Sequence, residues 1–210
     1  MLVLVGATAA SAGPWPREGG TWFVALSFDR VHRPVAVRGP AALYAEYGMP
    51  GRRVLAFAIE EGPGARRADL LLRWHPADLP GGLALGLTGG LRLSPRDPVR
   101  WRAIGGAEAG RGHDTAIGSL WLRTGVRVLV GRTQGGWQAD LDLSAQMGLR
   151  RGAWIGMVGL THYRAPGQRQ TRLRPALGYE VHSRLTLLGE AAVARGGGID
   201  SLRLSVWSRF

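Results

Sequence analysis

From Trp22 to the end of the chain, apolar residues recur at every second position, in stretches of roughly 9 to 12 residues. A period of two sends successive side chains to opposite faces of a strand, so the chain predicts β-structure with two unlike faces. The clearest stretch is 137–147, where Trp137, Ala139, Leu141, Leu143, Ala145 and Met147 share one face and Gln138, Asp140, Asp142, Ser144 and Gln146 share the other. Leu83, Leu85, Leu87, Leu91 and Leu93 repeat the pattern against small residues, Thr88 and Arg92. Cutting the chain at Gly, Pro and charged clusters gives about twelve segments. They lie near 21–30, 40–48, 53–60, 67–75, 82–93, 99–110, 115–131, 136–147, 152–163, 170–181, 184–195 and 199–210. Thr124-Gly125 interrupts the seventh, and a tight turn there makes the count odd. Pro175 interrupts the tenth; it has no N–H to donate and is expected at a bulge or a strand end.

One parity carries almost no charge: Trp22, Val24, Leu26, Phe28, Leu70, Leu72, Trp74, Leu120, Leu122, Val126, Val128, Val130, Leu185, Leu187, Val193, Leu202, Leu204 and Val206. The other collects Asp29, Glu46, Glu60, Asp69, Arg73, Arg92, Arg100, Arg102, Glu108, Arg123, Arg127, Asp140, Asp142, Arg172, Arg174, Glu180, Glu190, Arg203 and Arg209. A soluble sandwich segregates its faces in the same way, so alternation does not choose between the two. Length does. Strands of this extent match a tilted crossing of a hydrocarbon core, whereas soluble strands cluster near five or six residues. Trp22, Tyr47, Trp74, Trp101, Trp137, Tyr163, Tyr179 and Phe210 fall near segment ends on the apolar parity, as two interfacial aromatic girdles require. The expected fold is all-β, a transmembrane antiparallel up-and-down β-barrel of about twelve strands.

The last ten residues, Ser201-Leu-Arg-Leu-Ser-Val-Trp-Ser-Arg-Phe210, place Leu202, Leu204, Val206 and a terminal Phe210 at alternate positions back from the chain end. This resembles the closing strand of bacterial outer-membrane β-barrel proteins. The idiom Gly178-Tyr-Glu-Val-His-Ser-Arg-Leu-Thr-Leu187 also looks like a short periplasmic turn between barrel strands, and similar idioms recur at 46–53 and 146–152. The resemblance implies integral residence in the outer membrane, contact with its lipid and lipopolysaccharide, and reading of the terminal aromatic by the barrel assembly machinery.

Composition sharpens this picture. All 27 basic residues are Arg, against 15 acids, so the formal charge of +12 is carried by guanidinium groups. The absence of Cys excludes a disulfide framework, a thiolate zinc site and a cysteine nucleophile. The run over residues 1–12 is apolar and ends with Ala10 and Ala12 placed as in an A-x-A cleavage site, which predicts a signal peptide, although it lacks a basic start. The other reading of that run is a buried first strand. Residues 13–20 then form a short periplasmic segment, and 21–210 the barrel.

Arg and acid on the inward parity nearly cancel, which describes a ladder of ion pairs around a lumen. The channel-lining candidates are Arg73, Arg92, Arg100, Arg102, Glu108, Arg123, Arg127, Asp140, Asp142, Arg172, Arg174, Glu180, Glu190 and Arg203. Surplus positive charge falls in loops, at Arg30, Arg33, Arg38, Arg66, Arg67, Arg96, Arg132, Arg164 and Arg169, where forked donors suit phosphate. The expected function is a narrow passive channel for small polar or anionic solutes. The alternatives are a closed barrel with a structural or lipopolysaccharide-contacting role, and a lipid-modifying enzyme with Ser and His on the outer wall. None of His32, His75, His113, His162 and His182 has a Ser two positions on, and only His182-Ser183 are adjacent. No metal spacing and no other cofactor signature is present. Nucleic acid is not an expected partner, because the basic residues are spread among acids instead of forming one stripe.

Overall fold

The computed structural model describes residues 15–31, 41–62, 65–76, 78–97, 99–194 and 198–210. The expected signal peptide over residues 1–12, Gly13 and Pro14, and His32, Arg33 and Arg38 lie outside them. The strands are β1 (Trp22–Val31), β2 (Ala41–Met49), β3 (Arg53–Gly62), β4 (Ala65–Trp74), the two-residue β5 (Asp78–Leu79), β6 (Leu83–Leu93), β7 (Trp101–Thr115), β8 (Gly118–Thr133), β9 (Gly136–Arg151), β10 (Trp154–Ala165), β11 (Gln168–His182), β12 (Leu185–Ala194) and β13 (Ile199–Arg209). Each long strand pairs antiparallel with its neighbours, β4 pairs with β6, and β1 pairs with both β2 and β13. These twelve form a closed ring. β5 and the 3-10 turn Pro80–Gly82 belong to the connection between β4 and β6, where β5 folds back on β6. Closure leaves no sheet edge, so every strand finds backbone partners on both sides, as a hydrocarbon surround demands.

Thr124 and Gly125 run straight through β8, paired to Ala109 and Glu108 on one side and to Ala145 and Ser144 on the other, so no turn divides the segment. Pro175 departs from expectation. It lies inside β11, at neither a bulge nor an end, and pairs with Val158 of β10. On its other side the β11–β12 ladder passes from Leu173↔Val193 to Ala176↔Glu190 with the register kept, leaving Arg174 and Pro175 without a rung. A skipped rung disposes of the missing N–H without bending the strand.

Outward positions are apolar and open. Leu26, Phe28, Leu70, Leu72, Leu122, Val128, Leu187, Leu202, Leu204 and Val206 are all exposed, Leu204 by 69%. Soluble monomers rarely expose a contiguous apolar patch larger than a few hundred Å², whereas here the apolar surface continues from strand to strand. Trp22, Tyr47, Trp74, Trp154, Tyr179 and Phe210 gather at the end of the barrel where β1 begins and β13 ends, with ring centroids 4.7 Å apart for Trp22 and Tyr47 and 4.9 Å for Trp154 and Tyr179. Trp101 and Trp137 stand at the far end. Tyr163 does not join a girdle: it faces inward, and its hydroxyl donates to Asp140 at 2.9 Å. The ring is sealed where the chain ends, by Trp22 N–H to Phe210 C=O at 2.9 Å and Phe210 N–H to Trp22 C=O at 3.1 Å.

Candidate functional site: the lumen

Twelve strands about 4.8 Å apart and tilted about 40° enclose a backbone diameter of roughly 24 Å, of which side chains leave about half. The inward parity fills this space with two kinds of wall. Part of it is ionic. Glu46, 1% exposed, accepts from Arg17 Nε at 2.6 Å, from Arg73 Nη1 at 3.0 Å and from the Tyr44 hydroxyl. Arg73 continues to Glu108 at 3.9 Å, and Glu108 to Arg127 at 3.1 Å. Around the ring, Arg92 forms a two-pronged pair with Asp69 at 2.7 Å on each prong, Arg174 Nε donates to Glu190 at 2.9 Å, and Arg203 Nη2 donates to Asp29 at 2.7 Å. Arg102 meets Asp97 at 3.0 Å and lies 3.3 Å from Asp140. Near the chain ends, Glu180 takes Arg150 at 2.8 Å and Arg209 at 3.6 Å.

The rest of the wall is apolar, which the expectation of an ionic lumen missed. Ala56, Leu71, Ile104 and Leu129 form one buried cluster with Tyr44 against it. Trp121, Ile155, Met157 and Leu188 form a second, with Trp15, Ala176 and Trp207 packed on it. These residues share the parity of the ionic wall, so position in the alternation told inside from outside but not wet from dry. Gly148 makes room for the second cluster, because a Cβ there would sit 2.1 Å from the Trp121 ring. Gly148→Ala therefore displaces Trp121, and urea unfolding of the refolded barrel should show a loss of about 1–3 kcal/mol, the usual cost of overpacking. An unchanged midpoint removes the Trp121 cluster from the account of stability.

The segment ahead of β1 enters this space. Trp15 packs on the second cluster, the Arg17 guanidinium lies 4.5 Å above the Phe23 ring while holding Glu46, and Gly20 N–H donates to Gly48 C=O at 2.9 Å. A Cβ on Gly48 would meet the Glu18 carbonyl at 2.1 Å, so the two backbones touch because position 48 has no side chain. Residues 15–20 thus close part of the lumen at the end where β1 begins and β13 ends.

The structure places the sequence candidates unequally. Arg73, Arg102, Glu108 and Asp140 are buried in the ionic wall, while Arg92, Arg123, Arg127, Asp142, Arg172, Arg174, Glu180, Glu190 and Arg203 stand on the inward parity with part of their surface open. Arg100 stands apart: it precedes β7 in the loop between β6 and β7, is exposed, and offers its carbonyl to Ser94 N–H at 2.8 Å. In the same loop, burial acts to raise Asp97, but hydrogen bonds from Arg102 and Val99 N–H outweigh it and hold the carboxyl below its ordinary range. Arg17 and Arg150 are inward cations the sequence reading did not select, since Arg17 precedes the periodic region and Arg150 lies near a segment end, and Arg67, expected in a loop, lies within β4 on the inward parity. Leu202, Leu204 and Val206 line the outer face of β13.

Ser183, in the exposed turn after β11, has its Oγ 3.4 Å from Nδ1 of His182, the last residue of that strand, and Arg184 N–H approaches the same ring nitrogen. Among the described residues no three His, Asp or Glu side chains gather as metal ligands.

No protein-family model and no curated protein sequence matches the chain. Solved structures do. The KdgM porin superimposes with a TM-score of 0.65 over 90% of this chain and 98% of its own at 7% identity, and the NanC porin with 0.65 over 89% and 98% at 9% identity. The KdgM porin in complex with disordered oligogalacturonate superimposes with 0.62 over 90% and 98% at 7% identity. The ring of twelve antiparallel strands, its apolar exterior and this likeness together make the chain an outer-membrane-type β-barrel, similar in fold to the KdgM and NanC porins.

Proposed function

We propose that the chain is an integral barrel of the bacterial outer membrane and a narrow passive channel for small polar or anionic solutes. The observation that carries the reading is a set of partly open guanidinium groups on the lumen wall, at Arg92, Arg127, Arg172, Arg174 and Arg203. Each is held by one carboxylate yet keeps 17% to 41% of its side chain accessible, so it can share its donors with a passing anion. The fold relative solved with oligogalacturonate, a chain of carboxylates, lends support. In this reading residues 1–12 are a cleaved export signal, the end bearing the termini faces the periplasm, and Phe210 with Leu202, Leu204 and Val206 is what the assembly machinery reads.

The test is planar-bilayer conductance of the refolded barrel under a salt gradient. Arg127→Gln and Arg174→Gln should each lower the anion-to-cation permeability ratio about fivefold, because a unit charge roughly 8 Å away in water favours an anion by about 0.5 kcal/mol and disfavours a cation by as much. Unaltered selectivity in both variants overturns the reading. A second reading, a closed barrel with a structural or lipid-contacting role, draws on the Trp15, Phe23, Trp121 and Trp207 side chains in the lumen. It predicts silence in the same bilayers.

A further inference from the structure

The outward face is uncharged along its middle, but arginines stand on it near the far rim, among them Arg132, Arg164 and Arg169. Arg132 ends the outward row of β8 and pairs across to Trp137, while Arg164 of β10 and Arg169 of β11 are cross-strand partners. All three are exposed. In the lumen Arg73, Arg92, Arg102, Arg127, Arg172, Arg174 and Arg203 each meet a carboxylate, and so does the rim residue Arg66, 4.0 Å from Glu61. Arg132, Arg164 and Arg169 meet none within 4.0 Å among the described residues.

Beside them is a cavity of about 650 Å³. One side is the tip of the β10–β11 hairpin, with Arg164, Gln168 and Arg169, and the other is the outward surface of β8 and β9, with Val128, Ala139 and Leu141. One rung below the two arginines, His162 Nδ1 and Thr171 Oγ1 are 2.8 Å apart on the same face, which keeps that rung polar before the aliphatic surface begins. Forked cations over an aliphatic floor, on the side that faces lipid, match a molecule with phosphate at one end and hydrocarbon at the other.

We infer that this groove binds a phosphorylated lipid of the outer leaflet, with its phosphate on Arg164 and Arg169, Arg132 alongside, and an acyl chain against Val128, Ala139 and Leu141. The assignment rests on the membrane reading above and deepens it by giving the lipid contact a place. It does not depend on whether the lumen conducts. Lipid phosphate is favoured over free phosphate because the cavity is lined by Val128, Ala139 and Leu141 of the outward apolar face as well as by the arginines.

The experiment uses the full chain reconstituted in phosphatidylcholine vesicles carrying a small fraction of lipid A, with native mass spectrometry of lipids retained after extraction. Arg164→Gln/Arg169→Gln should retain lipid A about tenfold less well than the unsubstituted protein, the loss of one to two charge-assisted contacts. Arg151→Gln, an exposed arginine at the opposite end, should not differ. Lipid A stripped of its phosphates should bind the unsubstituted protein as weakly as lipid A binds the double variant. Equal retention by the double variant, or of the stripped lipid, overturns the assignment, as does displacement of lipid A by millimolar inorganic phosphate. Protein that fails to float with the vesicles overturns the membrane reading and this one with it, whereas insertion with unchanged retention overturns this one alone.

Discussion

Glu46→Gln should destabilise the barrel by about 3 kcal/mol, near the lower end of what breaking a buried ion pair costs. Glu46 is almost wholly buried and is held by Arg17, Arg73 and the Tyr44 hydroxyl at once. Gln keeps the shape and one acceptor oxygen but removes the charge that balances two guanidinium groups. Arg73, itself 2% exposed, is then left with Glu108 at 3.9 Å as its nearest remaining carboxylate among the described ion pairs. The measurement is the urea midpoint of refolded barrel in vesicles. Adding Arg73→Met, an uncharged side chain of similar length, should restore much of the loss, since a buried pair replaced by apolar groups is often neutral. A double variant no better than the sum of the two singles shows that Glu46 and Arg73 are not coupled.

Trp15→Ala combined with Arg17→Gln should raise single-channel conductance. Trp15 packs on the Trp121, Ile155, Met157 and Leu188 cluster, and Arg17 ties the same segment to Glu46. Together they hold residues 15–20 across the lumen at the end where β1 begins and β13 ends. An indole occupies a large share of a passage roughly 12 Å across, so its removal should increase conductance about twofold. The comparison is single-channel current at fixed voltage, with heat-modifiable migration on gels showing that the variant still closes its barrel. Equal current in a closed barrel takes the segment out of the conducting path. Because Glu46→Gln loosens the same latch, it should also raise the current, linking the two results through one carboxylate.

Strand positions were legible because the signal is local. In the stretch from Trp137 to Met147 the alternation of Leu141 and Leu143 with Asp140 and Asp142 needs no knowledge of any neighbour, and β9 covers it entirely. The same holds for Leu202, Leu204 and Val206 on β13. Tyr163 failed as a girdle residue because one aromatic near a strand end carries no mark of its parity when both faces of the strand are apolar, as in β10. Arg100 falls just outside the strands because strand ends blur by a few residues, and β7 begins at Trp101. Pro175 was expected to break regularity, but the cost of its missing N–H depends on which neighbour lacks a rung, and that is a property of the pairing.

Alternation along the chain by itself determined the number of long strands, their approximate positions and which runs of side chains face outward, because each follows from a period of two carried by residues adjacent in sequence. Only the tertiary structure decided what the inward side chains do. Glu46, Arg73, Glu108 and Arg127 come from four different strands and meet through ring closure and register, so no spacing announces them. The same closure brings Trp15 onto Trp121 and Ile155, far along the chain, and turns part of an alternating wall into a packed plug. Burial depends on what stands across the lumen, and that neighbour is chosen by the fold.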